Sequence, residues 1–269
     1  MTSNLLFCCR SYTLFLFHIT AILNNSHAAR YNAMQKSEAV RKFKSALVAG
    51  ALIGTLAAVI VFMKGLNLTE VFAYFFFWIG ASLIVSFTTT LVPGWLKGLI
   101  LAEVLAVPVV VLSIGGYRGD PLYYVVLNII LINGFMGIAL GYFAELSAEE
   151  PDKRDRLGPG VFRKYVISTL AGAAAGGITL IPIMLSHMPL IMMFSALSQM
   201  TMLSLMISYS NSPLKGWQTG LIGAVLTSTP IALIIYSYAP SHCAPMILVT
   251  TALGTALGAF NEKYARFPQ

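Results

Sequence analysis

Charge is what this chain has least of: Asp, Glu, Lys and Arg together make up 10% of its 269 residues, against about 25% in an ordinary soluble domain. With 57% hydrophobic residues beside it, that shortage excludes a water-soluble globule. Cysteine is scarce too. Cys8, Cys9 and Cys243 are too few and too unevenly spaced for a disulfide framework or a zinc site. The sequence has no HExxH, GxSxG or P-loop motif and no carboxylates paired at a fixed spacing within an apolar run, so no familiar enzyme chemistry declares itself. It also lacks a polar stretch long enough for a sizeable soluble domain, which argues against receptor signalling.

What is present is hydrocarbon in blocks. Eight apolar runs of spanning length stand out: Ser45 to Met63, Val71 to Val92, Gly98 to Gly115, Leu122 to Glu145, Tyr165 to Leu185, Met188 to Tyr209, Trp217 to Tyr238 and Ala244 to Phe260. At about 20 residues per crossing, eight crossings use roughly 160 residues. An open chain in hydrocarbon can satisfy its backbone only as helix, so each run is expected to be one.

The net charge is +7, which in a soluble protein would suggest nucleic acid. Here the basic residues cluster at the ends of the runs, so the lipid bilayer is the expected partner and nucleic acid is not. On one side fall Arg30, Lys36, Arg41, Lys42, Lys44, Lys97, Lys153, Arg154, Arg156, Arg163, Lys164, Lys215, Lys263 and Arg266; on the other, only Lys64 and Arg118. The positive-inside rule then predicts both termini in the cytoplasm of a plasma or inner membrane and an even number of spans.

The expected domains are an N-terminal segment, 1–41; a four-span unit, 42–145; a cytoplasmic linker, 146–163, carrying AEEPDKRDRLGPG; and a second four-span unit with a short tail, 164–269. Residues 1–33 fit this plan poorly, because Arg10 and His18 interrupt their apolar run and MTSN lacks the basic residue of a signal peptide. An extra apolar span is one reading. A start at Met34 is the plainer one.

The two units resemble each other. AGALIG at Ala49–Gly54 matches AGAAAG at Ala171–Gly176, LKG at Leu96–Gly98 matches LKG at Leu214–Gly216, and GIALGYFAE at Gly137–Glu145 matches GTALGAFNE at Gly254–Glu262. The offsets of 122, 118 and 117 keep one order, as duplication requires. Four spans per unit bring both copies in from the same side. The expected fold is therefore all-α: a polytopic transmembrane bundle of eight spans in two tandem parallel four-helix repeats.

The small-xxx-small pairs Gly50 and Gly54, Gly137 and Gly141, Gly172 and Gly176, and Gly254 and Gly258 suit close helix packing in lipid. Glu103 is the one carboxylate well inside a run, roughly 10 Å deep at 1.5 Å per residue. An ionisable group there is costly and usually faces a cavity or a partner, which makes it a candidate proton-coupling site; the 118 offset gives it Leu221 as counterpart. Asn128, Asn133, Gln199, Thr227, Ser228 and Thr229, with Ser195 and Ser198, are either interhelical hydrogen bonders or the lining of a polar path. Glu145 and Glu262 end the fourth and eighth runs, where a carboxylate opposes the helix dipole, so Lys97 and Lys215 are expected as compensating cations. His187, His242 and Cys243 make an incomplete ligand set, so no metal or other cofactor is expected.

These features predict a permease or transporter of a small solute or ion, proton-coupled through Glu103. A non-catalytic membrane scaffold or assembly subunit is the alternative, and an intramembrane lipid-modifying enzyme the third reading. Homo-oligomers suit any of them.

Overall fold

The computed structural model describes residues 33–63, 65, 67–88, 92–114, 122–146, 160–185, 190–210, 214–236 and 240–264. The expectations for residues 1–32 and for the charged part of the linker lie outside them. The described helices are α1 (Ala33–Met63), α2 (Leu68–Phe87), α3 (Gly94–Ile114), α4 (Leu122–Leu146), α5 (Gly160–Leu185), α6 (Leu190–Tyr209), α7 (Gly216–Tyr236) and α8 (Pro240–Tyr264). An isolated antiparallel bridge joins Thr88 to Ser210, the residues that follow α2 and α6. By contact density Lys42–Gln269 form one compact unit and Met1–Arg41 another.

Among the described residues, six helices, α1, α2, α3, α5, α7 and α8, contain a stretch long and apolar enough to cross a membrane. A shorter apolar stretch, Ile130–Leu146, occupies α4. The polar content of α6 has a physical reason. It packs against α3, α5, α7 and α8, and its Ser195, Gln199, Ser204 and Ser208 are buried. A helix sheathed by protein does not need the hydrocarbon surface that lipid demands of a peripheral one. Peripheral helices show the converse: Leu52, Leu56 and Phe62 of α1 and Leu131 and Phe135 of α4 are exposed.

Local signals set several helix ends. Asn67 caps α2 with a reciprocal pair: Glu70 N donates to Asn67 Oδ1 at 3.0 Å and Asn67 N donates to Glu70 Oε2 at 3.3 Å. Pro108 and Pro230 lie inside α3 and α7, where each removes a backbone donor and frees the carbonyl four residues earlier. For Pro230 that carbonyl is Leu226, and α2 comes up to it at a residue without a side chain: a Cβ on Gly80 would lie 3.2 Å from Leu226 O.

Four helix pairs meet through glycine. Gly50 and Gly54 of α1 lie against the α2 backbone, where a Cβ would come to 2.8 Å from Ile79 Cα and 2.8 Å from Phe75 O. Gly172 and Gly176 of α5 meet α6 likewise, at 2.6 Å from Thr201 Cα and 2.9 Å from Leu197 Cα. Closer still, Gly94 and Gly98 of α3 interlock with Gly137 and Gly141 of α4, and Gly216 and Gly220 of α7 with Gly254 and Gly258 of α8. Lipid is as apolar as a leucine side chain, so such pairs are held by dispersion between closely approaching backbones rather than by expulsion of water.

The two tightest pairs make matching contacts. Gly94 meets Gly141 and Glu145 while Gly216 meets Gly258 and Glu262, and Gly98 meets Gly137 while Gly220 meets Gly254. Gly94 and Gly216 stand 122 residues apart, as do Gly98 and Gly220, Trp95 and Trp217, and Pro108 and Pro230.

Across the two sets of four helices, α2 packs on α7 and α3 on α6. Ser195 Oγ of α6 donates to Pro108 O of α3 at 3.1 Å.

A methyl group separates interlocked from open glycines. Gly98→Ala places its Cβ on the Gly137 carbonyl and should cost about 1–3 kcal/mol, the usual price of overpacking. Gly177, which has nothing within 4 Å of its Cβ position, should accept alanine with a gain of about 0.5–1 kcal/mol from helix propensity. Thermal denaturation of the two variants in the same detergent checks both signs.

Candidate functional site

Two carboxylates mark one end of the bundle. Gly94 N, at the start of α3, donates to Glu145 Oε2 at 3.0 Å, and Gly216 N, at the start of α7, donates to Glu262 Oε2 at 2.8 Å. Each glutamate ends one helix and caps the N-terminus of its antiparallel neighbour. The positive end of that neighbour's dipole helps to compensate the charge. Lys97 Nζ donates to Thr88 O at 3.0 Å. Lys215 contributes a backbone N–H to Gln218 Oε1 at 3.1 Å.

Glu103 sits on α3 with its side chain half-buried. A Cβ on Gly134 would lie 3.2 Å from Glu103 Oε1 and 3.2 Å from Leu99 Cδ1, so the missing side chain of Gly134 opens the niche that holds the carboxyl. Oε1 is buried there with no hydrogen-bond partner. Asn133, the neighbour of Gly134 on α4, is buried as well. The side chain of Asn128 and all of His187 lie outside the described residues.

Two cavities are described, and Glu103 lines neither. A narrow one, about 20 Å³, lies among α2, α3, α6 and α7, with Phe77, Leu105, Pro108, Gln199, Thr227 and Pro230 in its wall. Leu105 is about 200° around α3 from Glu103, so the carboxyl points away from this space. The larger cavity, about 110 Å³, is lined by α5, α6, α7 and α8. Ile183, Met192, Ile231, Ile235, Met246 and Val249 make its walls largely aliphatic, with Thr179, Ser195, Gln199, His242 and Thr250 as the polar edges.

Gln199 borders both cavities. It is 5% exposed, and its Nε2 is buried with no hydrogen-bond partner. The other polar candidates have local engagements. Thr227 Oγ1 donates to Gly223 O at 2.9 Å and Thr229 Oγ1 to Val225 O at 2.7 Å, both within the turn preceding Pro230. Ser228 Oγ reaches Val225 O at 3.5 Å, and Ser198 Oγ donates to Ser195 O at 2.8 Å. The expected polar path therefore divides. Gln199 and Thr227 come together, while Glu103 stands apart from them.

Among the described residues no three His, Cys, Asp or Glu side chains converge on a metal position. Cys243 is buried and donates from Sγ to Ala232 O at 3.2 Å, tying α8 to α7.

The sequence reading passed over a polar cluster between α5, α6 and α8. Asn261, fully buried, donates from Nδ2 to Ser204 O at 3.1 Å and to Ser204 Oγ at 3.0 Å; Ser208 Oγ bonds Ser204 O at 3.0 Å and also pairs with Ser168 Oγ. A serine every fourth residue along α6, at 204 and 208, was its signal. Gly94, Gly98, Gly216 and Gly220 were also missed as packing residues, although each pair repeats the small-xxx-small spacing.

The caps at Gly94 and Gly216 predict a graded response. Glu262→Gln keeps an acceptor and should cost less than about 1 kcal/mol, the loss of a charge–dipole interaction; Glu262→Leu leaves Gly216 N–H without its acceptor and should cost roughly 1–3 kcal/mol. Hydrogen exchange at the Gly216 amide should accelerate in the Leu variant and change little in the Gln variant.

Comparison with protein-family models, with curated proteins and with solved structures finds no match for this chain.

Proposed function

We propose that this chain is an integral membrane permease for a small neutral solute, made of two four-helix units side by side in the bilayer. Gln199 carries the reading. It borders both the cavity inside the second unit and the narrow space between the units, so a solute held by the first has a direct neighbour in the second. Ligand pockets of this kind, with aliphatic walls and a few convergent polar groups between helices, are the default binding sites of bundles.

The duplicated architecture supports the reading. At an offset of 122, Gly50, Gly54, Gly94, Gly98 and Pro108 correspond to Gly172, Gly176, Gly216, Gly220 and Pro230; at 117, Gly137, Gly141 and Glu145 correspond to Gly254, Gly258 and Glu262. Exchanging the units turns the α2–α7 contact into the α6–α3 contact, and both are present. Thr88 and Ser210 are themselves equivalent at 122, and an antiparallel bridge between equivalent residues is what a two-fold axis along the membrane normal produces. In this arrangement α4 and α6 also span the bilayer, for eight spans with both termini cytoplasmic.

Coupling through Glu103 is not part of the proposal, because the carboxyl faces α4 and lines neither cavity. The glycine contacts of α3 with α4 and of α7 with α8 favour a second reading, a rigid scaffold or assembly subunit, since backbones in direct contact leave little slack for rocking.

Osmotic swelling of vesicles carrying the purified protein, followed by stopped-flow light scattering for a panel of small neutral amides and polyols, separates the two. A permease accelerates swelling for at least one solute over protein-free vesicles, independently of an imposed proton gradient and equally well with Glu103→Gln. Ala196→Tyr, which fills the larger cavity, should abolish the acceleration. Protein-free rates across the whole panel leave the scaffold as the better account.

A further inference from the structure

We infer that the cavity lined by α5, α6, α7 and α8 is a binding site for a small neutral molecule with a carbonyl-type hydrogen-bond acceptor at one end and a short hydrocarbon tail at the other. The inference deepens the permease reading and rests on it for the place of the cavity in a path. Its own basis is Gln199, 95% buried by its 5% exposure, lining the cavity, with Nε2 unpartnered. A buried amide donor left unmade is costly, and protein interiors avoid it. A ligand oxygen at that point supplies the missing acceptor. Ile183, Met192, Ile231 and Met246 supply an aliphatic wall for the remainder. Among the described residues no acidic or permanently charged side chain lines the cavity, so a charged ligand finds no counter-ion among them, and a charge taken out of water without one is strongly disfavoured. A volume of about 110 Å³ suits a molecule of about six non-hydrogen atoms or fewer, on the scale at which ~150 Å³ holds benzene.

The first four-helix unit carries larger side chains at the equivalent positions. At the offset of 122, Ala196, Gln199 and Met200 correspond to Tyr74, Phe77 and Trp78, and Trp78 is fully buried in a core with Ile53, Ala57, Met136 and Leu140. Aromatic bulk occupies one unit where the other keeps a cavity and an amide. A lipid acyl chain entering from the bilayer would match the aliphatic wall but offer nothing to Gln199.

The glutamines are Gln35, Gln199, Gln218 and Gln269, few enough for side-chain amide spectra of 15N-glutamine-labelled full chain in lipid nanodiscs, with Gln199→Leu identifying its resonance. Titration with butyramide should shift the Gln199 amide protons downfield and saturate. The same skeleton without an acceptor, 2-methyl-1-pentene, should bind at least about tenfold more weakly, although it partitions more strongly into lipid. Ala196→Tyr should abolish the butyramide shift while leaving the resonance in place. Equal shifts from both probes would assign the cavity to hydrocarbon, lipid tails included, and overturn the proposal. Absence of any shift in the wild-type chain would overturn it as well, whether or not the variant folds. A saturable butyramide shift in a protein that accelerates no flux sinks the permease reading and leaves the site standing; accelerated flux without a shift does the reverse.

Discussion

Backbone-to-backbone contact between antiparallel helices is the constraint on which the rest of this structure depends. In hydrocarbon, helices gain nothing by hiding apolar side chains from a solvent that is equally apolar, so association must come from closeness. Glycine at four-residue spacing on both partners permits it, and in the α3–α4 and α7–α8 pairs the two glycine rows interlock so tightly that a Cβ would fall on the opposing carbonyl. That approach also brings the last turn of one helix to the first turn of the other. Glu145 and Glu262 can then reach the N–H groups of Gly94 and Gly216. The cap is a consequence of the packing, since a bulkier interface would hold the carboxylate out of reach.

The same constraint sorts the helices by environment. Peripheral α1 and α4 turn leucine and phenylalanine outward. Central α6 carries hydroxyl and amide groups that protein, not lipid, surrounds. Most of these groups are engaged: Ser204 and Ser208 with Asn261 and Ser168, Ser195 with Pro108. Gln199 stands out against that background, because a helix that otherwise satisfies its buried polar atoms leaves this amide donor unmade beside the largest described cavity. Glu103 also keeps a buried oxygen without a partner, but in a niche cut by Gly134 between two helices rather than in a space that could hold a solute.

Composition and the spacing of apolar runs determined by themselves that this chain is helical and made for a membrane, because a chain with so little charge and so much hydrocarbon has no other way to satisfy its backbone. Glycine spacing made close packing legible, and paired glutamates at the ends of similar segments signalled a common role. Partnership was decided only in three dimensions. The group bonded to Glu145 could not be read from a helix pattern that presents both Lys97 and the α3 N-terminus at the same level. Direction was likewise a tertiary matter. Two residues along α3, about 200° of helical rotation, carry Glu103 and Leu105 to opposite faces, so whether a membrane carboxylate or a glutamine addresses the cavity depends on the angle at which α3 and α6 are packed, which no local sequence signal encodes.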